Sequence, residues 1–158
     1  MAIETKQQMD KRHQDEFGAL PILWAFSNEQ FHEGIEKLKA EGSLADGEKV
    51  VRIGGGGYIA KHALPELEVM LKRHENERKG IVSEYESAKA AFIYEMNNHE
   101  YFINMQADWD VINCFTSVEY KDEGTEGYLA RTDWGEDTKR AYRDAKRECF
   151  KQWEEIGW

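Results

Sequence analysis

Four consecutive glycines, Gly54, Gly55, Gly56 and Gly57, stand between two short apolar, β-prone runs in VVRIGGGGYIAK at residues 50–61. Glycine adopts positive φ angles that other residues avoid, so this run is either a tight bend or a cradle of backbone amides for an anion. A dinucleotide fingerprint needs G-x-G-x-x-G opening a helix, and Ile59 occupies the place of its last glycine. The P-loop pattern G-x-x-x-x-G-K-[ST] is absent from the chain. Tyr58-Ile59-Ala60 continues the β character instead of starting a helix. The expected structure is a β-hairpin whose turn needs positive φ or admits another backbone closely. An amide nest at Gly54–Gly57 is the ligand-binding alternative.

Helical signals surround this hairpin. Residues 3–17 read as a polar helix, frayed or docked, and 1–18 as a flexible N-terminal helix. ILWAF at 22–26 follows Pro21 and reads as a strand or extended entry. Ser27 with Gln30 forms a capping box, and Phe26 with Phe31 occupies the two staple positions. A helix over about 28–41, with Phe31, Ile35 and Leu38 on one face, then ends at Gly42. From Leu64 the period is helical again. Leu67, Leu71 and His74 share a stripe, and Gly80 suggests a bend or a break near 79–83.

Further on, YFIN at 101–104 reads as extended, and Asp108 as the cap of a helix over 108–115. Residues 116–138 read as acidic loop with at most one strand. The last helix, at 136–156, carries a buried stripe of Tyr142, Ala145, Cys149, Trp153 and Ile156. The expected fold is α+β: one mainly helical domain over 1–158, with a small antiparallel hairpin or sheet and a long C-terminal helix at 136–158.

Charge narrows the partners. The formal net charge of −10 opposes free binding to nucleic acid or anionic membrane. No run approaches the roughly 20 apolar residues that cross a bilayer, and the polar start reads as no signal peptide. Cys114 and Cys149 lie in apolar helical patterns and read as reduced thiols of a cytosolic protein. Between residues 104 and 138, nine acids face only Lys121 and Arg131. They are Asp108, Asp110, Glu119, Asp122, Glu123, Glu126, Asp133, Glu136 and Asp137. Such a block is either an ordinary solvated loop or a surface that imitates a phosphate backbone and fills a cationic groove, with nearby Trp and Tyr side chains as anchors.

Catalytic patterns are sparse. Glu95 and His99 are four residues apart and share a helix face, as a metal pair or an acid–base pair would. A zinc site usually needs a third protein ligand, and HExxH is absent, so no metal and no cofactor is expected. The alternative role for His99 is closure of a helix C-terminus with Asn97 and Asn98. The serines lack a G-x-S-x-G elbow, and Cys114 has no histidine beside it in sequence.

Three segments carry a resemblance. Phe26, Gln30 and Phe31 fill F-x-x-x-Q-F; Ile53, Gly54, Gly56, Gly57, Tyr58 and Ile59 fill I-G-x-G-G-[YF]-I; Tyr94, Glu95, Asn98, His99, Glu100 and Tyr101 fill Y-E-x-x-N-H-E-Y. Over roughly 22–115 the chain resembles a family of small uncharacterised proteins carried by phages and prophages of gut bacteria. The resemblance carries no catalytic role. It implies a mobile-element protein in a bacterial host cytoplasm. The resulting expectation is a non-enzymatic anti-defence inhibitor of the anti-CRISPR type. It would block a defence nuclease, such as a CRISPR effector, through the nine acids, without contacting membrane or nucleic acid itself. The rivals are a small-molecule binder or enzyme using Gly54–Gly57 with Glu95 and His99, and a homodimer paired through the last helix.

Overall fold

The computed structural model describes residues 4–101 and 107–156. The chain is a mainly helical α+β protein with a three-stranded antiparallel sheet and a long C-terminal helix. It divides into a sheet unit, residues 11–73, and a helical unit formed by residues 1–10 and 74–158. The boundaries fall inside two helices, α1 (Lys6–Gly18) and α3 (Leu64–Ile81).

In the sheet unit, β1 (Ile22–Trp24), β2 (Val50–Gly54) and β3 (Gly57–Ala60) are ordered β1-β3-β2. Ile22 and Val51 both pair with Ile59, and Leu23 and Arg52 both pair with Tyr58. Strand alternation then sorts the apolar residues onto two faces. Leu23, Tyr58, Ala60 and Val50 join Phe31, Ile35 and Leu38 of α2 (Asn28–Ala40) in one cluster. Ile22, Ile59, Val51 and Ile53 join Phe17, Leu64, Leu67 and Met70 in the other. Gly34 permits the first contact, because a Cβ there would lie 2.9 Å from Leu23 Cβ.

The glycine run is a bend. Gly54, Gly55 and Gly56 have φ of +92°, +58° and +84°. Another backbone does come close: the Ala25 amide donates to the Gly56 carbonyl at 2.8 Å. Gly56→Ala is expected to lose at least about 1–2 kcal/mol, since a side chain in the left-handed region is strained and its Cβ would also press on the Phe26 ring, which must shift. Gly80 has open space around it and no positive φ, so Gly80→Ala is the neutral or stabilising control. Urea midpoints compare the two; equal shifts would show that backbone conformation is not what Gly56 supplies.

The capping box at α2 is half as expected. Ser27 Oγ accepts from the Gln30 amide at 3.2 Å, but Gln30 Oε1 accepts from Phe26, one residue before the cap. Phe26 is no buried staple: it stays 80% exposed. Leu71 also leaves the expected stripe at 47% exposure, and Met70 is buried beside Leu67 in its place. The reason is the helical drift of about 100° per residue, which carries i+3 rather than i+4 inward here.

In the helical unit, α3 ends at Ile81 and α4 spans Tyr85–Asn98, so the chain breaks where Gly80 suggested. Ser83 and Ser87 hydroxyls take the released carbonyls of Gly80 and Ile81. Then follow α5 (Ala107–Asn113), α6 (Gly124–Ala130) and α7 (Glu136–Glu155). Ala88, Ala91, Phe92 and Met96 of α4 meet Ala141, Tyr142, Ala145, Cys149 and Trp153 of α7 in one core. The small residues let the two helices approach closely. Phe92 centres that core, with ring centroids of Phe115, Trp134 and Tyr142 at 5.2, 5.2 and 5.0 Å.

Three expectations change in this unit. α6 forms where a loop was expected, because Tyr128 and Leu129 bury into the core and outweigh two glycines. Ile156 is 69% exposed and lies past the last turn of α7. The remaining α7 stripe is consumed by the core, which removes it as a homodimer surface. Residues 102–104 of the expected extended piece, and Trp158, lie outside the described residues. Among those described, no helix is long and apolar enough to cross a membrane.

Candidate functional site

The nine acids do not form one uniform surface. Asp108 is buried at 3% exposure. Its Oδ1 accepts from the hydroxyls of Tyr101 at 2.6 Å and Tyr142 at 2.5 Å, and its Oδ2 from Thr125 at 2.7 Å. Asp108 is therefore a structural acceptor inside α5 and neither a helix cap nor a partner contact. Burial first, and the Asp108 charge next, push the Tyr101 and Tyr142 hydroxyls well above the ordinary tyrosine range. Both remain donors. Asp110 is half-buried, and its carbonyl accepts from Cys114.

The other seven acids are exposed. Four lean on cations of their own chain. Arg143 clasps Glu126 with two bonds of 2.8 and 2.9 Å, and Glu123, Glu136 and Asp137 face Arg131, Lys139 and Arg140. The basic α7 thus partly answers the acidic block that precedes it. The hydrogen bonds from Arg143, foremost, hold the Glu126 carboxyl below its usual range. Glu119, Asp122 and Asp133 carboxylates have no cation partner among the described residues.

The ends of the glycine turn belong to its own ladder. Gly54 and Gly57 pair across the hairpin, and Gly57 also pairs with Trp24. α3 starts seven residues after Gly57, so no helix N-terminus directly follows the amides. A cleft of about 710 Å³ in this unit is lined by residues between Gly18 and Ser43, none of them a nominated site residue.

Glu95 and His99 acquire a third member that their spacing alone does not reveal. Glu95 sits in the last turn of α4 with its side chain buried. His99 is the C-cap of that helix, as its sequence position suggests. Glu100 then takes φ +50°, and the amides of Glu100 and Tyr101 return to the carbonyls of Asn97 and Met96. That closing turn sends Tyr101 into the core and leaves His99 at its edge. Cys114, just after α5, places Sγ 3.2 Å from Glu95 Oε2 and 3.5 Å from His99 Nε2. His99 Nε2 stands 3.4 Å from the same Glu95 Oε2.

The far side of Glu95 is held separately. Lys6, on the first turn of α1, brings Nζ to 3.2 Å from Glu95 Oε1 and 2.6 Å from Asp10 Oδ1. Burial lowers the affinity of Lys6 for its proton, but Asp10 and Glu95 outweigh it and the pKa ends raised. Burial first, and the Glu95 charge next, push the Cys114 thiol up to about 12. An activated nucleophile requires the opposite shift, so Cys114 beside His99 is not a primed thiolate. Both cysteines are free.

No pattern in the sequence joins Cys114, Lys6 or Asp10 to Glu95 and His99. Cys114 lies 15 residues from His99, and no local pattern links them. A family model described as "Family of unknown function (DUF7659)" matches residues 5–126, a span that holds all five side chains of this cluster. No curated protein and no solved structure matches the chain.

Proposed function

The chain belongs to the DUF7659 family, a family of unknown function, and we propose that it is a non-catalytic inhibitor that lays an acidic surface into the cationic groove of a nucleic-acid-handling nuclease. One observation carries this reading: the seven carboxylates from Glu119 to Asp137 are all exposed. Within residues 116–137 they face only Lys121 and Arg131, a formal balance of −5. Four have partners on the same chain, but exposed pairs are worth at most about 1 kcal/mol, so a partner's lysines and arginines can displace them. Tyr120, 49% exposed in the same stretch, supplies an apolar anchor.

The bacterial mobile-element context implied by the sequence resemblance makes a CRISPR effector the nuclease of choice and the host cytoplasm the place of action. Such effectors hold nucleic acid in positively charged channels. No specific observation favours the rival that couples Gly54–Gly57 to Glu95 and His99.

The test is displacement of fluorescent duplex DNA from purified CRISPR effectors at low and high salt. The wild-type chain is expected to compete, with a steep loss as salt rises. Glu119→Lys, Asp122→Lys and Asp133→Lys together remove the unpaired acids without touching the core. Competition should weaken at least about tenfold. Undiminished competition by the folded triple variant removes the acidic-surface mechanism.

A further inference from the structure

We propose that Glu95, His99 and Cys114 form a binding site for one divalent transition-metal ion of the zinc class, with one coordination position left open. This site is independent of the acidic surface and would stand if that reading failed.

The geometry comes first. Donor atoms about 2.0–2.3 Å from zinc stand about 3.3–3.7 Å apart at the corners of a tetrahedron. Glu95 Oε2, His99 Nε2 and Cys114 Sγ are separated by 3.2, 3.4 and 3.5 Å, so they already mark one face of such a polyhedron. All three pairs share the small space that a single ion would fill. A thiolate, an imidazole and a carboxylate suit zinc and its neighbours, whereas calcium and magnesium favour all-oxygen sets.

The surroundings fit as well. Only Glu95 Oε2 faces the histidine and the thiol, because Lys6 holds Oε1. Second partners of this kind orient ligating carboxylates. The Asp10 carboxylate at 2.6 Å answers the Lys6 charge, so Lys6 does not stand as a bare cation beside the ion. With the metal bound and the Cys114 proton released to solvent, the formal charges of the ion, Lys6, Asp10, Glu95 and the Cys114 thiolate cancel. Without the ion, the buried Glu95 leaves one negative charge in excess. Coordination supplies what the thiol lacks, since a metal ligates the thiolate and drives its proton off. His99 and Cys114 are half-buried, which leaves a route for the ion from solvent.

The experiment uses the purified, metal-stripped full chain. Equilibrium dialysis against zinc sulfate is expected to give one ion per chain. Cobalt substitution should give thiolate-to-cobalt charge-transfer absorption together with the visible bands of a tetrahedral ion. Cys114→Ser and His99→Ala, both at half-buried positions, should each weaken zinc binding at least roughly 100-fold while keeping the helical circular dichroism. Exposed His62→Ala should bind as wild type does. Absence of stoichiometric zinc on the folded wild-type chain would overturn the site. So would undiminished binding in Cys114→Ser, or cobalt spectra without a thiolate band.

Discussion

Asp108→Ala is expected to destabilise the chain by about 3–5 kcal/mol, the cost of breaking a buried charged network. The variant leaves the Tyr101, Tyr142 and Thr125 hydroxyls without their common acceptor, two of them inside the core. Hydrogen bonds to a charged group contribute about 1.5–3 kcal/mol each but do not add fully, so losing three together costs about as much as a large core truncation. The check is urea unfolding followed by circular dichroism. A loss under about 1 kcal/mol would mean that water replaces the carboxylate easily.

A pH arm sharpens that test. Tyr101 and Tyr142 have raised pKa values in the fold, so the neutral hydroxyl is favoured there. Their contribution is therefore fully present below the unfolded tyrosine pKa of about 10 and falls as pH rises above it. Part of the shift comes from the Asp108 charge. In Asp108→Ala the alkaline decline should be shallower than in wild type. An identical alkaline profile would show that burial alone sets the shift.

Phe92→Ala is expected to cost about 3–5 kcal/mol, the range for emptying a large aromatic from a closed core. Phe92 has no exposed surface and touches the rings of Phe115, Trp134 and Tyr142, which come from three separate parts of the helical unit. Leu71→Ala is the matched control. Leu71 was expected on the buried stripe but is 47% exposed, so its loss should stay under about 1 kcal/mol. Thermal melts of both variants decide the matter; comparable losses would mean that the Phe92 core collapses around the missing ring.

The acidic block shows how far sequence reasoning reaches. Counting charges identified the block, and seven of its nine acids are exposed. Counting could not distinguish Asp108 from Asp110, two residues apart on α5, because only the tyrosines brought by other elements make Asp108 an acceptor. The metal candidate has the same history. The i,i+4 spacing of Glu95 and His99 was visible, and the missing third ligand argued against an ion. Cys114 supplies that ligand from the turn after α5.

Local patterns determined the glycine bend, the Ser27 cap, the α3–α4 break and most of the α7 stripe. Each depends on contacts between residues a few positions apart, or on backbone angles of the residue itself. Tertiary structure alone decided that α6 is helical, that Asp108 is buried, and that Lys6, Glu95, His99 and Cys114 meet. Those outcomes depend on side chains separated by up to 89 positions, as Lys6 is from Glu95. Such distant partners leave no period in the chain, and only packing of the assembled helices brings their atoms within bonding distance.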